Sequence, residues 1–424
     1  MKKVYYELKL KQTSPLRIGN GDNENTDSDL LLDGQGLPFI SGSSVAGILR
    51  SMLPQEEADE VFGFIKGDVI TESHILVSDA VLGDDVKKED ITISVRDGIE
   101  LDDWGVTKPE SKYDFEVAET EKEYTCVLEW GGEDNDKISK ILEPLIQRIV
   151  KTGISAGART TRGYGAFDVE AKKREFQFPA DIDKWISFKP FAPDAFNQEE
   201  KLQGEAIADK DMNIKITIKI DGSFSVRVKT SDYIELEDGT LPKSVPLMNW
   251  EKKPVIPGTT WAGCFRHHMR DIIRELKDMK DIDQKTEMES LDLIFGKAVE
   301  AGKHQKSKIL FSETEIEGGK KHVNTRNAVD RFTQAPKNTG LYTSAVWQGG
   351  KGTLHLCIKE NAMSDFQKKL LAIALIDLDL GLMSFGGEAG VGRGRAEITE
   401  LFVNEINRLN ELKALKTDFL EVTS

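Results

Sequence analysis

Leu37-Pro38-Phe39-Ile40-Ser41-Gly42-Ser43-Ser44-Val45-Ala46-Gly47-Ile48-Leu49-Arg50 returns later in the chain as Lys253-Pro254-Val255-Ile256-Pro257-Gly258-Thr259-Thr260-Trp261-Ala262-Gly263-Cys264-Phe265-Arg266. The chain is therefore a tandem repeat. In each copy Pro and Gly fix a turn that enters a helix. The paired hydroxyls Ser43 and Ser44, or Thr259 and Thr260, can cap the first helical N–H groups, and Arg50 or Arg266 lies further along the helix. A helix start with free N–H groups suits a phosphate. Taken singly, each copy also reads as an ordinary capped helix.

Outward from this stretch the two halves keep the same order. Val4 to Lys11 alternates as a half-buried strand does, and Asn213 to Ile220 repeats the pattern with Ile at 214, 216, 218 and 220. A polar, acidic loop from Gly19 to Asp29 follows in the first copy. After the helix come Val61-Phe62-Gly63 and a strand from Ser73 to Ala80, matched by Ile294-Phe295-Gly296 and Ser307 to Thr314. The stretches Val95 to Asp102 and Val323 to Asp330 read as extended hairpins projecting from a sheet. Each copy closes with a helix, Ile138 to Lys151 or Phe366 to Leu382, and a glycine-rich turn, Gly153 to Gly165 or Phe385 to Arg395, before a last strand. Strand, helix, strand, hairpin, helix, strand fits a ferredoxin-like α+β unit, an antiparallel sheet with helices on one face and the other face free. Residues 171–212, with three prolines and mixed charge, read as a linker, and residues 404–419 as a terminal helix.

At 424 residues, 39% hydrophobic and 31% charged, the composition is that of a globular protein of two domains. No apolar run reaches membrane-span length, which argues against a membrane partner and for the cytoplasm. Cys126, Cys264 and Cys357 are too scattered for a zinc pattern and read as small buried hydrophobes. A net charge of −16 excludes nucleic-acid binding through bulk positive charge. Local binding stays open, because arginines gather beside glycines where a backbone can approach a phosphate closely.

Pro-x-Ile-x-Gly followed by two hydroxyl residues, Gly and Arg, a central hairpin, and a Gly-rich turn holding Arg-Gly together resemble the RAMP superfamily of CRISPR-associated proteins, and more narrowly the backbone subunits of type III effector complexes. The resemblance covers nearly all of the chain, twice: a first domain at 1–175, a linker at 176–210, a second domain at 211–403 and a tail at 404–424. It implies two tandem ferredoxin-like, RRM-related domains with β-hairpin thumbs, partnered by guide RNA, target RNA and other CRISPR effector subunits. Guide-RNA contacts then fall on Ser43, Ser44, Arg50, Arg159, Arg162, Thr259, Thr260, Arg266, Arg326, Arg331, Arg393 and Arg395. Ile99, Leu101, Trp104, Val329 and Phe332 are the thumb wedges that unstack bases, or else hairpin residues packing on their own domain.

In the catalytic subunits of this family an Asp in the loop before the Pro-x-Ile-x-Gly turn cuts target RNA. That pattern falls on Asp27, with Asp33 at the next turn and Asp29 where the family usually has proline. Asp27 is thus the expected catalytic residue and ligand of Mg²⁺ or another divalent cation, making the chain a metal-dependent endoribonuclease on guide-paired target. A lone loop Asp also commonly forms a turn. The matching stretch of the second copy, around Lys243, has no carboxylate; Glu237 and Asp238 lie further upstream. Two other readings stay open, an inert guide-RNA scaffold and a precursor-processing endoribonuclease, for which His267 and His268 are the available histidines.

Overall fold

The computed structural model describes residues 2–21, 26–102, 106–119, 121–131, 137–204, 211–228, 244–276, 283–298 and 304–420. Trp104, Glu237, Asp238 and Lys243 lie outside them. The chain divides into two compact units: 1–96, 113–160 and 164–209 form one, and 97–112, 161–163 and 210–424 the other.

In the first unit, β1 (Lys2–Gln12) is the centre of the sheet. Val4, Tyr6, Leu8 and Leu10 all point into one core, as strand alternation requires. The helix α1 (Gly42–Ser51) and α2 (Gln55–Phe62) follow, then β2 (Ile75–Val77). Val45 and Leu49, one helical turn apart, bury the inner face of α1. The strands β3 (Ile93–Gly98) and β4 (Tyr113–Ala118) form a separate two-stranded hairpin. At its base Arg96 and Glu119 make a buried ion pair at 3.3 Å. The unit closes with β5 (Glu123–Trp130), α3 (Glu143–Thr152) and β6 (Ala166–Gln177). β5 and β6 flank β1 on either side, both antiparallel to it.

The outer face of this sheet is not free, contrary to the sequence-based expectation, and 178–202 is not a loose connector. The segment carries α4 (Ile182–Ser187) and packs Phe188, Ala195 and Phe196 with Tyr5, Val127 and Phe176 of the sheet. Trp185 donates to the Tyr5 hydroxyl at 3.0 Å, and Lys172 and Arg174 donate to the Phe196 and Ala195 carbonyls. Apolar side chains on the exposed parity of β1, β5 and β6 left the sheet needing a cover, and the aromatic content of 176–196 supplies it.

The second unit repeats the plan. Its strands and helices are β7 (Met212–Asp221), α5 (Gly258–Glu275), α6 (Gln284–Phe295), β8 (Ile309–Phe311), β9 (Thr314–Glu317), β10 (Lys320–Val329), β11 (Pro336–Gln348), β12 (Lys351–Ile358), α7 (Asp365–Asp379), β13 (Arg395–Val403) and the short α8 (Leu409–Lys413). β7 is central, between β12 and β13. Met212, Ile214, Ile216, Ile218 and Ile220 face the core, while Asn213, Lys215 and Lys219 face out and are exposed. Trp261, Phe265, Met269 and Ile273, spaced by four, bury α5 against the sheet, and the Trp261 indole N–H is satisfied by Thr314 at 3.0 Å. β10 and β11 form the long hairpin. Each unit is a ferredoxin-like domain carrying a β-hairpin.

Cys126 and Cys264 are packed in apolar surroundings, and burial pushes each thiol up to about 11. They are inert packing residues.

The arginine ending the repeated motif has a structural partner in both units. Arg50 donates to Asp59 at 2.5 Å and to the Gly63 carbonyl, and Arg266 donates to Asp292 at 2.8 Å. Each pair ties the first helix of its unit to the second. Lys66 also donates to Asp59, at 2.8 Å. The Asp59 carboxyl is held below its ordinary value by that bond first, then by Gln55 and the charges of Lys66 and Arg50, against an opposing contribution from burial. A depressed folded pKa stabilises above the unfolded value, about 3.9, and the stabilisation is lost as pH falls through the folded value. Thermal unfolding of the native protein and Asp59→Asn should therefore differ fully at neutral pH, and the gap should close below about pH 4. A gap independent of pH would assign Asp59 no ionic role.

Candidate nucleic-acid interface

The first of the two helix starts of the repeated motif is already filled. In α1 the cap is Ser41, whose hydroxyl accepts from Ser44 N–H at 3.3 Å, and Ser43 and Ser44 bond back to Ser41 rather than capping the helix themselves. The Gly42 N–H donates to the Asp79 carboxylate at 2.7 Å, so an anion already sits at this end. In α5 the cap position is Pro257, without a side-chain cap bond, and Thr259 and Thr260 lie half-buried in the first turn. With Arg50 engaged by Asp59 and Arg266 by Asp292, the repeated motif ties the first helix of each unit to the second as a structural corner. The capping role expected of Ser43 and Ser44 falls instead to Ser41.

The glycine turns hold the available positive charge. In the first unit Ala156 N–H donates to the Gly165 carbonyl, and in the second Phe385 N–H donates to the Gly394 carbonyl, which closes equivalent loops. This fixes the register between copies. Arg159 (φ 60°) and Glu388 (φ 64°) occupy the same left-handed position, each just before a single 3₁₀ turn, Thr160–Arg162 or Ala389–Val391. Arg393 therefore corresponds to Tyr164, not to Arg162. The Arg162 guanidinium is taken up by backbone carbonyls, with Phe295 O at 2.6 Å, so it anchors chain where the sequence suggested a phosphate contact.

Around the first turn, Arg159 lies 4.5 Å over the Tyr113 ring and Arg17 lies 4.0 Å over Phe115, with Tyr164 edge-on to Phe115. Burial, with Arg159 beside it, lowers the Arg17 pKa from its ordinary value. Among the described residues neither arginine has a carboxylate partner. Two cations on an aromatic platform are suited to phosphates and stacked bases. Arg17 and Tyr113 were missed in the sequence because nothing in its spacing joins residues 17, 113 and 159.

Around the second turn, Arg393 is 3% exposed with its Nε 2.9 Å from Glu388, and Arg227 and Arg326 reach the same carboxylate at 3.5 and 3.4 Å. Arg331 is exposed near the β10–β11 tip, and Arg395 is exposed on β13. Arg395 lines a pocket of about 350 Å³ with Asp221, Asp379 and Lys413, a mixed-charge lining.

The hairpins present apolar side chains to solvent. Ile99 and Val329 are exposed, Phe332 is 94% exposed at the turn after β10, and Leu101 is half-buried in a bridge with Thr107. Among the described residues Phe332 has almost no packing partner.

Asp27 is exposed and locked to β4 by a reciprocal pair: Asp114 N–H donates to Asp27 Oδ2 at 2.9 Å, and Asp27 N–H donates to Asp114 Oδ1 at 3.0 Å. Asp114 lies between Tyr113 and Phe115 of the aromatic platform. The neighbouring acids are otherwise engaged. Buried Asp29 accepts from Thr26, and Asp33 accepts from Gln35 and Leu37 N–H groups in a local turn. Among the described residues no three His, Cys, Asp or Glu side chains converge as a metal cage. Among the described residues Asp27 Oδ1 and Asp114 Oδ2 are left over, and two carboxylate oxygens fit Mg²⁺, which takes one or two protein carboxylates and completes its shell with water and phosphate.

A ferredoxin-like domain with a projecting hairpin and an arginine-bearing glycine turn, built twice, defines the class. Residues 9–168 and 238–397 each match the model of the RAMP superfamily, and the chain belongs to that superfamily. Among solved structures it is similar to a chain of the type III-B Cmr-beta in the apo state, at 13% identity and TM-score 0.32 over 39% of this chain and 96% of that one. It is also similar to a chain of the type III-B Cmr-beta bound to cognate target RNA, at 19% identity and TM-score 0.32 over 42% of this chain and 61% of that one. A search of curated proteins finds no match in sequence. No described helix is long and apolar enough to cross a membrane.

Proposed function

We propose that the chain is a guide-RNA-binding backbone subunit of a type III CRISPR effector, working with other effector subunits, and that its first unit cuts the paired target RNA. The observation that carries this reading is the pair of glycine turns. In a protein of net charge −16, each turn keeps more guanidinium than carboxylate within reach among the described residues. Contacts of that kind hold a backbone by shape and charge, and leave sequence to base pairing. In this reading the exposed Phe332, Val329 and Ile99 act as wedges against stacked bases.

For cleavage, the reacting group is the target's own 2′-hydroxyl, which attacks the adjacent phosphorus in line while the P–O5′ bond breaks. As P–O2′ forms, Asp27 takes the hydroxyl proton through its uncommitted oxygen, a solvent water protonates the departing O5′, and Asp114 holds Asp27 in place. A Mg²⁺ held by Asp27 and Asp114 would supply charge to the phosphate oxygens as they gain it. An inert guide-RNA scaffold is the alternative that the test must separate.

The test uses the full chain with a matching guide and end-labelled target, with Mg²⁺ or EDTA. One metal-dependent cut per chain is expected. Guide binding without a cut leaves the scaffold, and no guide binding overturns both.

A further inference from the structure

We infer that Arg227, Arg326 and Arg393 form a site for one phosphate group, and that Glu388 is its built-in competitor, a carboxylate that a phosphate displaces. The inference deepens the proposed function, in that the phosphate it expects is one of the guide backbone.

Three guanidinium groups converge on a single carboxylate. Arg393 Nε is 2.9 Å and Arg326 Nη1 3.4 Å from Glu388 Oε2, and Arg227 Nη1 is 3.5 Å from Oε1. Among the described residues, one negative charge among three positive ones leaves the cluster short of anion. The shortage is sharpest at Arg393, which is 3% exposed while its Nε, Nη1 and Nη2 make no well-formed hydrogen bond among the described residues. Buried guanidinium donors are costly to leave unspent. Burial lowers the Arg393 pKa, Glu388 opposes this, and Arg326 and Arg227 lower it further. A phosphate offers more oxygens and accepts from guanidinium forks in parallel pairs, so it can satisfy donors that one carboxylate cannot.

The two units differ at this position in a telling way. The left-handed residue of the first glycine turn is Arg159, aimed over Tyr113, whereas that of the second is Glu388, aimed into the arginines. The same backbone device thus delivers a cation in one unit and an anion in the other. Glu388 keeps the second cluster folded while empty and must leave when a phosphate enters. Its removal by an isostere should therefore raise affinity, the reverse of what removal of a binding residue does.

The experiment measures guide-RNA affinity of the full chain by filter binding, and stabilisation by inorganic phosphate through thermal shift, for the native protein, Glu388→Gln, Arg326→Ala and Arg393→Ala. Glu388→Gln should bind RNA and phosphate about three- to tenfold more tightly, and each arginine variant about tenfold more weakly. If RNA binding fails in every protein while phosphate still stabilises Glu388→Gln more than the native chain, the anion site stands and the guide-RNA reading falls. If Glu388→Gln stays folded by circular dichroism yet binds phosphate no better, or worse, Glu388 is no competitor and the inference is overturned. Should Glu388→Gln lose its fold, Glu388→Asp, which withdraws the carboxylate by one methylene, must show the same gain or the inference fails.

Discussion

Gly394→Ala should destabilise the second unit by about 3 kcal/mol, the sum of a left-handed backbone that resists a side chain and a broken loop-closing hydrogen bond. A Cβ at this position, where φ is 74°, would run into the Phe385 carbonyl, and the Phe385 N–H bond to the Gly394 carbonyl holds the whole turn shut. Gly165→Ala should do the same in the first unit, where the obstacle is the Ala156 carbonyl. Two neighbours grade the effect. Gly392, at φ 83° but with open space around it, should cost about 1 kcal/mol as Ala, and Gly390, with open space and no positive φ, within about 0.5 kcal/mol. Urea unfolding midpoints measure the order, and equal losses at 390 and 394 would mean that the pinch is not what closes the turn.

The second large effect is on chemistry. Under the proposed function, Asp27→Asn should cut target RNA at least about a hundredfold more slowly while guide and target binding stay within about twofold. The asparagine oxygen can still accept from Asp114 N–H, so the loop keeps its place and only the charge is lost. Asp27→Ala should lose cleavage as well, with a looser loop. Full cleavage by Asp27→Asn would move the chemistry elsewhere in the chain.

How much of this was legible in the sequence depends on the distance over which the signal acts. The central strands were plain, since Ile214, Ile216, Ile218 and Ile220 alternate with polar residues and all four are buried. The tandem ferredoxin-like plan followed from order alone. The register of the glycine turns was not legible, because glycines crowd both segments and only the Ala156–Gly165 and Phe385–Gly394 bonds say which ones correspond. Only with that register does Arg159 fall opposite Glu388. The partners of Arg50 and Arg266 were hidden for a different reason: Asp59 and Asp292 lie one helix further on, and nothing in the spacing pairs them with the arginines. Asp114 was invisible in principle, since its link to Asp27 spans the intervening helices and the hairpin.

The aromatic segment that covers the first sheet changes where this protein can be divided. A chain stopped at residue 175 would lose Phe176, Phe188 and Phe196 and leave Tyr5 and Val127 bare as a sticky surface. One continued to residue 204 keeps Leu202 in the core and its N–H bond to the Ala171 carbonyl. The natural seam between the two halves is thus set by packing and not by the end of the last shared strand, and gene dissection, insertion or transplantation of the first half has to respect it.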